Sequence, residues 1–160
     1  MSVPAGRAAT LGTLLVAEPL QPAGPPRTIP LSSGKAHIAI APTDADFSDA
    51  AIWKITLPAA LDLNLDPLLR IHYIGDAARL TLNGRLLDDN FYSGRPFDLG
   101  LKRYTPEILN GDLRLEILPL PKDAPIFLEP GARPDFAEKE SLVKLAPLEI
   151  VNRYEVEFKN

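Results

Sequence analysis

The run Asp88-Asp89-Asn90-Phe91-Tyr92-Ser93-Gly94-Arg95 is where this sequence concentrates groups able to do chemistry. Sugar recognition combines an aromatic face, which meets the C–H side of a pyranose, with Asp, Asn or Arg groups that hydrogen-bond its hydroxyls. On that reading, Asp89, Asn90, Tyr92 and Arg95 are the candidate carbohydrate-binding residues. The same types are also ordinary turn chemistry, with Phe91 and Tyr92 anchoring a loop while Asp89 and Asn90 cap backbone amides. Both uses fit the composition of the segment, and the second is the commoner.

Bond cleavage has less to work with. A glycosidase of the usual kind needs two carboxylates facing each other across about 5–10 Å. Asp88 and Asp89 are neighbours in the chain, but successive residues of a strand point to opposite faces, so they nominate no catalytic pair. His37 and His72 are the two histidines, each inside an apparent strand, with no Gly-x-Ser-x-Gly elbow and no cysteine to act with them. No catalytic residue is assigned. No thiolate and no His-x-x-x-His spacing supports a zinc site. Gly75, Gly84, Gly94 and Gly100 read as bends, since none belongs to a phosphate-binding glycine pattern. Asp44, Asp46 and Asp49 make an acidic group of the sort that can hold calcium. Spaced aspartates in a turn are more often solvated, so no metal and no cofactor is assigned.

The elements that must position these groups are short and extended. The chain has 160 residues, 46% of them hydrophobic, which suits one domain. A net charge of -4 without a run of Lys or Arg offers no basic footprint for nucleic acid or an anionic membrane. The apolar run Leu11 to Ala17 is too short to span a bilayer and makes a poor export signal. The lack of cysteine leaves the compartment undetermined.

Seventeen prolines seldom leave a window for a stable helix, because an interior proline costs about 3 kcal/mol there. Residues 1–30, holding Pro19, Pro22, Pro25, Pro26 and Pro30, read as a proline-rich lead-in or linker, and residues 31–160 as the folded domain. Strands are expected over Lys35 to Pro42 and Ala51 to Pro58, the latter with Trp53, Ile55 and Leu57 on a core-facing side. Leu69, Ile71 and Tyr73 alternate against Arg70 and His72. Arg79 to Leu82 and Arg85 to Leu87 flank Asn83-Gly84, a strong hairpin signal because both central residues of a type I′ turn need positive φ. Leu113, Leu115 and Ile117 form a further strand, and Leu148 to Phe158 a terminal one. Short helical turns are expected near Asp44 to Asp49 and Arg103 to Leu109. Many short strands without βα alternation predict an all-β fold, a two-sheet antiparallel β-sandwich or jelly roll.

The strings GDAARLTLNGRLLDDNFYSG, PFDLGLKRY and LRLEILPLPKDAPIFLE resemble the accessory jelly-roll domains of β-galactosidases in glycoside hydrolase family 35. More loosely they are similar to the sugar-binding-like sandwiches of family 2. The likeness covers about Leu69 to Glu129. It implies a galactose-binding-domain-like fold, a non-catalytic module, and a catalytic (β/α)₈ barrel domain of a parent glycosidase as partner. It also implies galactosides or plant-wall oligosaccharides as the carbohydrate involved, and a periplasmic or extracellular setting. An autonomous carbohydrate-binding module using Asp89, Asn90, Tyr92 and Arg95 is the alternative.

Overall fold

Residues 12–153 are described in the computed structural model. Their strands in chain order are β1 (Thr13–Leu15), β2 (Glu18–Gln21), β3 (Ala51–Ile55), β4 (Leu68–Ile71), β5 (Tyr73–Ile74), β6 (Ala77–Leu82), β7 (Arg85–Phe91), β8 (Phe97–Gly100), β9 (Leu113–Ile117), β10 (Leu120–Pro121), β11 (Ser141–Leu142), β12 (Lys144–Leu145) and β13 (Leu148–Val151). They build an all-β sandwich. One antiparallel sheet has the order β1-β13-β4-β8 and the other β2-β3-β9-β6-β7, with two-stranded ribbons β10-β11 and β12-β5 beside them.

The pairing is nested. The outermost pair is β1 with β13, then β3 with β9, then β4 with β8, and the innermost is the hairpin β6-β7. Alternation in the sequence decides which side of each strand faces inward. Leu69 and Ile71 of β4, Phe97 and Leu99 of β8 and Leu148 and Ile150 of β13 meet Leu80 and Leu82 of β6 and Leu113, Leu115 and Ile117 of β9 in a single cluster. Leu115 is fully buried, and its truncation to alanine should cost about 2–5 kcal/mol by lost transfer energy plus the cavity left behind.

Two glycines are needed where they stand. Asn83 and Gly84 have φ of 51° and 79°, the left-handed pair of the hairpin turn. Asn83 also ties the turn to the start of β9, accepting through Oδ1 from Asp112 N at 2.9 Å. At Gly75 a Cβ would come within 2.4 Å of Ile117 Cγ2 and 2.8 Å of Leu118 O, so only glycine lets the chain cross there.

Three expectations change. The segment Lys35 to Pro42 is not a strand: it belongs to a narrow loop closed by one bridge, Leu31 to Ala39, and His37 within it has φ of 43°. The proline-rich stretch is extended, yet from Thr13 onward it is part of the sandwich. β1 and β2 close one edge of each sheet, and Ile29 is buried in a second cluster with Leu120, Phe136 and Leu142. Extended backbone is what both a linker and an edge strand require, and proline fits either role. The terminal strand ends at Val151, and the part expected beyond residue 153 lies outside the described residues. The helical turns appear as 3₁₀ segments at Asp44–Asp49, Lys102–Tyr104 and Glu107–Leu109.

Candidate functional site

The segment read as a polar loop is half strand. β7 runs through Asp88, Asp89 and Asn90 to Phe91, and only the stretch from Tyr92 to Pro96 turns. A bulge sets the parity: Leu80 opposes Asp88 and Thr81 opposes Leu86, leaving Leu87 without a partner. Asp88 and Asn90 therefore share the side of core residues Leu80 and Ala78. Asp89 and Phe91 share the outer side with Arg79 and Ala77. As the alternation of a strand requires, the two adjacent aspartates face opposite ways.

This parity separates the four predicted site residues. Asn90 is engaged within the fold, the Tyr73 hydroxyl donating toward its Oδ1 at 2.9 Å and its carbonyl oxygen at 3.0 Å. Tyr92 packs edge-on against Tyr73, ring centroids 5.8 Å apart, and donates to Ala132 O at 2.8 Å. Burial pushes both phenols upward in pKa, which keeps them neutral hydrogen-bond donors. Arg95 is exposed, with Nη2 3.8 Å from Glu129 Oε1. Asp89 is exposed on the outer face of the five-stranded sheet. Asp89 and Asn90 help line one recess, whose lining includes neither Tyr92 nor Arg95, so the structure does not gather the four on a common surface.

That recess, of about 90 Å³, lies over β6 and β7 between Phe47, Asp44, Arg79, Leu86, Asp89 and Phe91. The register sets Glu116, Arg79 and Asp89 in one row across β9, β6 and β7. Arg79 pairs through Nε with Glu116 and through Nη1 with Asp44 at 3.0 Å. Its guanidinium stands 4.0 Å over the Phe47 ring, a cation–π contact. Phe47 reaches this place because the Asp44–Asp49 turn folds over the sheet, capped by Thr43 and Asp46 in a reciprocal box. The backbone bond from Thr43 lowers the Asp46 carboxyl below its ordinary range. Asp46 is thus a cap and Asp44 an ion-pair partner. Among the described residues no group of three or more His, Asp or Glu could hold a metal ion.

The histidines sit apart. His37 is exposed on the narrow loop, and His72 lies between β4 and β5 with Nε2 3.6 Å from Glu149 Oε2. Sequence reasoning did not single out Arg79, Phe47, Arg27 or Asp76. Arg27 and Asp76 form a buried pair at 2.7 Å, their side chains 9% and 3% exposed, with Arg27 Nη2 also donating to Ile40 O. Burial raises the Asp76 pKa while the Arg27 guanidinium pulls it back. The Gly-Asp dipeptide at residues 75–76 was the available signal, since an aspartate at an obligatory glycine crossing is well placed to be enclosed. Nothing local marks Arg27 as its partner, 49 positions away.

The fold and these contacts define a two-sheet antiparallel sandwich whose polar groups mostly pair with one another. Comparison with protein-family models, with curated proteins and with solved structures gives no match.

Proposed function

We propose that this chain is a non-catalytic β-sandwich module of a β-galactosidase-like glycoside hydrolase, packing against the catalytic barrel and helping to shape its carbohydrate cleft. The sequence resemblance over Leu69 to Glu129 supplies the class of parent. The nested strand order supports the finer jelly-roll, galactose-binding-like reading. The observation that carries the non-catalytic part is the engagement of Asn90 and Tyr92 within the fold, in the very segment richest in candidate chemistry. An apolar surface on the narrow loop supports a packing role: Ala39 turns inward to the second cluster while Ile38 and Ile40 are 65% and 45% exposed.

Incubation with aryl β-galactosides should give no turnover above the uncatalysed rate. Turnover abolished by Asp89→Asn or Glu116→Gln would defeat the proposal. A second reading, an autonomous carbohydrate-binding module, draws on exposed Phe91 and Asp89 standing on one face beside Arg79. It predicts calorimetric binding of galactosides in the millimolar-to-micromolar range, weakened by Phe91→Ala; no heat with any galactoside would remove it.

A further inference from the structure

Trp53 has a place in the fold that its parity does not explain. Its register partners are Pro19 on β2 and Leu115 on β9, so it shares the inward side of β3 with Ala51 and Ile55, which are 4% and 3% exposed. Trp53 itself is only partly buried, and it lines an opening together with Pro119, Ser141 and Val143. The sandwich opens there into a cleft of about 520 Å³, lined by the indole, Pro19, Pro22, Val143, Gln21 and Ser141 among others. Small-molecule sites typically measure roughly 300–1,000 Å³, and the recess beside Phe91, at about 90 Å³, falls well short of that. Two other grooves of comparable size, both beside Arg114, present no aromatic side chain, and a further one of about 400 Å³ has Tyr73, whose ring is buried and whose hydroxyl is already donated to Asn90.

The polar groups of the cleft suit a polyol. Gln21 pairs in register with Ile52, on the other side of β3 from Trp53, and its Nε2 donates to Ser48 O at 3.2 Å and Ala50 O at 3.0 Å, which fixes the β2 edge of the opening. Among the described residues neither the Ser141 hydroxyl nor the Trp53 indole N–H has a hydrogen-bond partner, and no buried side-chain polar atom lacks one, so both groups reach solvent. An apolar aromatic wall with a hydroxyl and an N–H donor is a combination that accepts the C–H face of a pyranose and its hydroxyl rim. A polypeptide strand fits less well. Pro19 and Pro22 remove two amide donors from the stretch of edge that such a strand would have to pair with.

We infer that the Trp53 cleft is a carbohydrate-binding site, in which a pyranose stacks on the indole and hydrogen-bonds to Ser141 Oγ. This rests on the carbohydrate side of the function proposed above and names where the contact is made. Trp53 is the one tryptophan of the chain, so emission under tryptophan-selective excitation reports on this cleft. Titration of the full chain with galactose, lactose and a β-1,4-galactan oligosaccharide should change Trp53 emission saturably, with the same midpoint as calorimetry. Ser141→Ala should weaken binding about fivefold, the scale of one hydrogen bond, with an unchanged melting temperature. Phe91→Ala should leave binding intact.

Saturable calorimetric binding with silent Trp53 emission, lost in Phe91→Ala, would overturn this site while leaving a carbohydrate-binding module standing. No heat with any of the three sugars would overturn the site; the non-catalytic assignment is judged separately by aryl-galactoside turnover. An emission change with a proline-rich peptide and none with sugars would overturn the ligand class.

Discussion

The same chemical pair, arginine with a carboxylate, stands in two settings in this molecule. On the outer face of the four-stranded sheet Arg70 meets Asp98 with two bonds of 2.9 and 2.8 Å, in a cross-strand row that continues to Glu149, and both side chains remain about one third exposed. Under the narrow loop, Arg27 meets Asp76 at 2.7 Å with almost no solvent on either side chain. The first is a surface ladder in which water already solvates each charge. The second ties a connecting segment to the start of β6, and the buried Asp76 carboxylate depends on the Arg27 guanidinium for its charge. Arg79 with Glu116 lies between them, 19% and 12% exposed, because the Asp44–Asp49 turn and Phe47 cover one half of an otherwise open sheet face. Burial depth, set by what folds over the pair, decides what an identical contact is worth.

The sharpest way to break the comparison is Arg27→Gln, which leaves a buried carboxylate without its cation. Denaturant unfolding at neutral pH should show a loss of about 3–5 kcal/mol. The pH dependence of that loss follows from linkage. Burial raises the folded-state pKa of Asp76, so its contribution to stability is greatest when protonated and falls as pH rises through the folded value. Removing Arg27 raises that value further, so the deficit should shrink as pH drops into the carboxylic-acid range, and adding Asp76→Asn at neutral pH should recover much of it. A deficit independent of pH would mean that Arg27 acts through packing alone. Arg79→Gln should cost less, about 1–3 kcal/mol, by loss of a partly buried charged hydrogen bond and the contact over Phe47. Arg70→Gln should cost under about 1 kcal/mol and still less at high salt, since exposed pairs are screened. If Arg70→Gln proved as damaging as Arg27→Gln, depth would not be the deciding variable.

The legible parts of the sequence were those fixed by neighbours in the chain. Asn83-Gly84 announces its turn because two adjacent residues must tolerate positive φ, and the Thr43 to Asp49 turn is legible because its capping groups lie within a few positions. The strands containing Ile55, Leu69, Ile71 and Leu115 show their inward sides by period-2 alternation. Lys35 to Pro42 shows where this fails: its composition suits a strand, but no partner covers its length and it closes as a loop. The candidate site was less legible. Asn90 and Tyr92 were recognisable as polar and aromatic, but their direction depends on a one-residue bulge at Leu87 that composition does not signal. Arg79 looked like the solvent side of a strand until Phe47, brought over from 32 positions earlier, lay beneath it.

By itself the sequence determined backbone class and the inward sides of the regular strands, because proline frequency, turn dipeptides and alternation act through local sterics and local burial. Only the tertiary structure decided which strands are neighbours, that β1 and β2 belong to the sheets, which arginine is enclosed and which stays wet, and that Trp53 faces an opening. Those outcomes depend on pairings between residues tens of positions apart, where desolvation and packing, rather than any local preference, set the free energy.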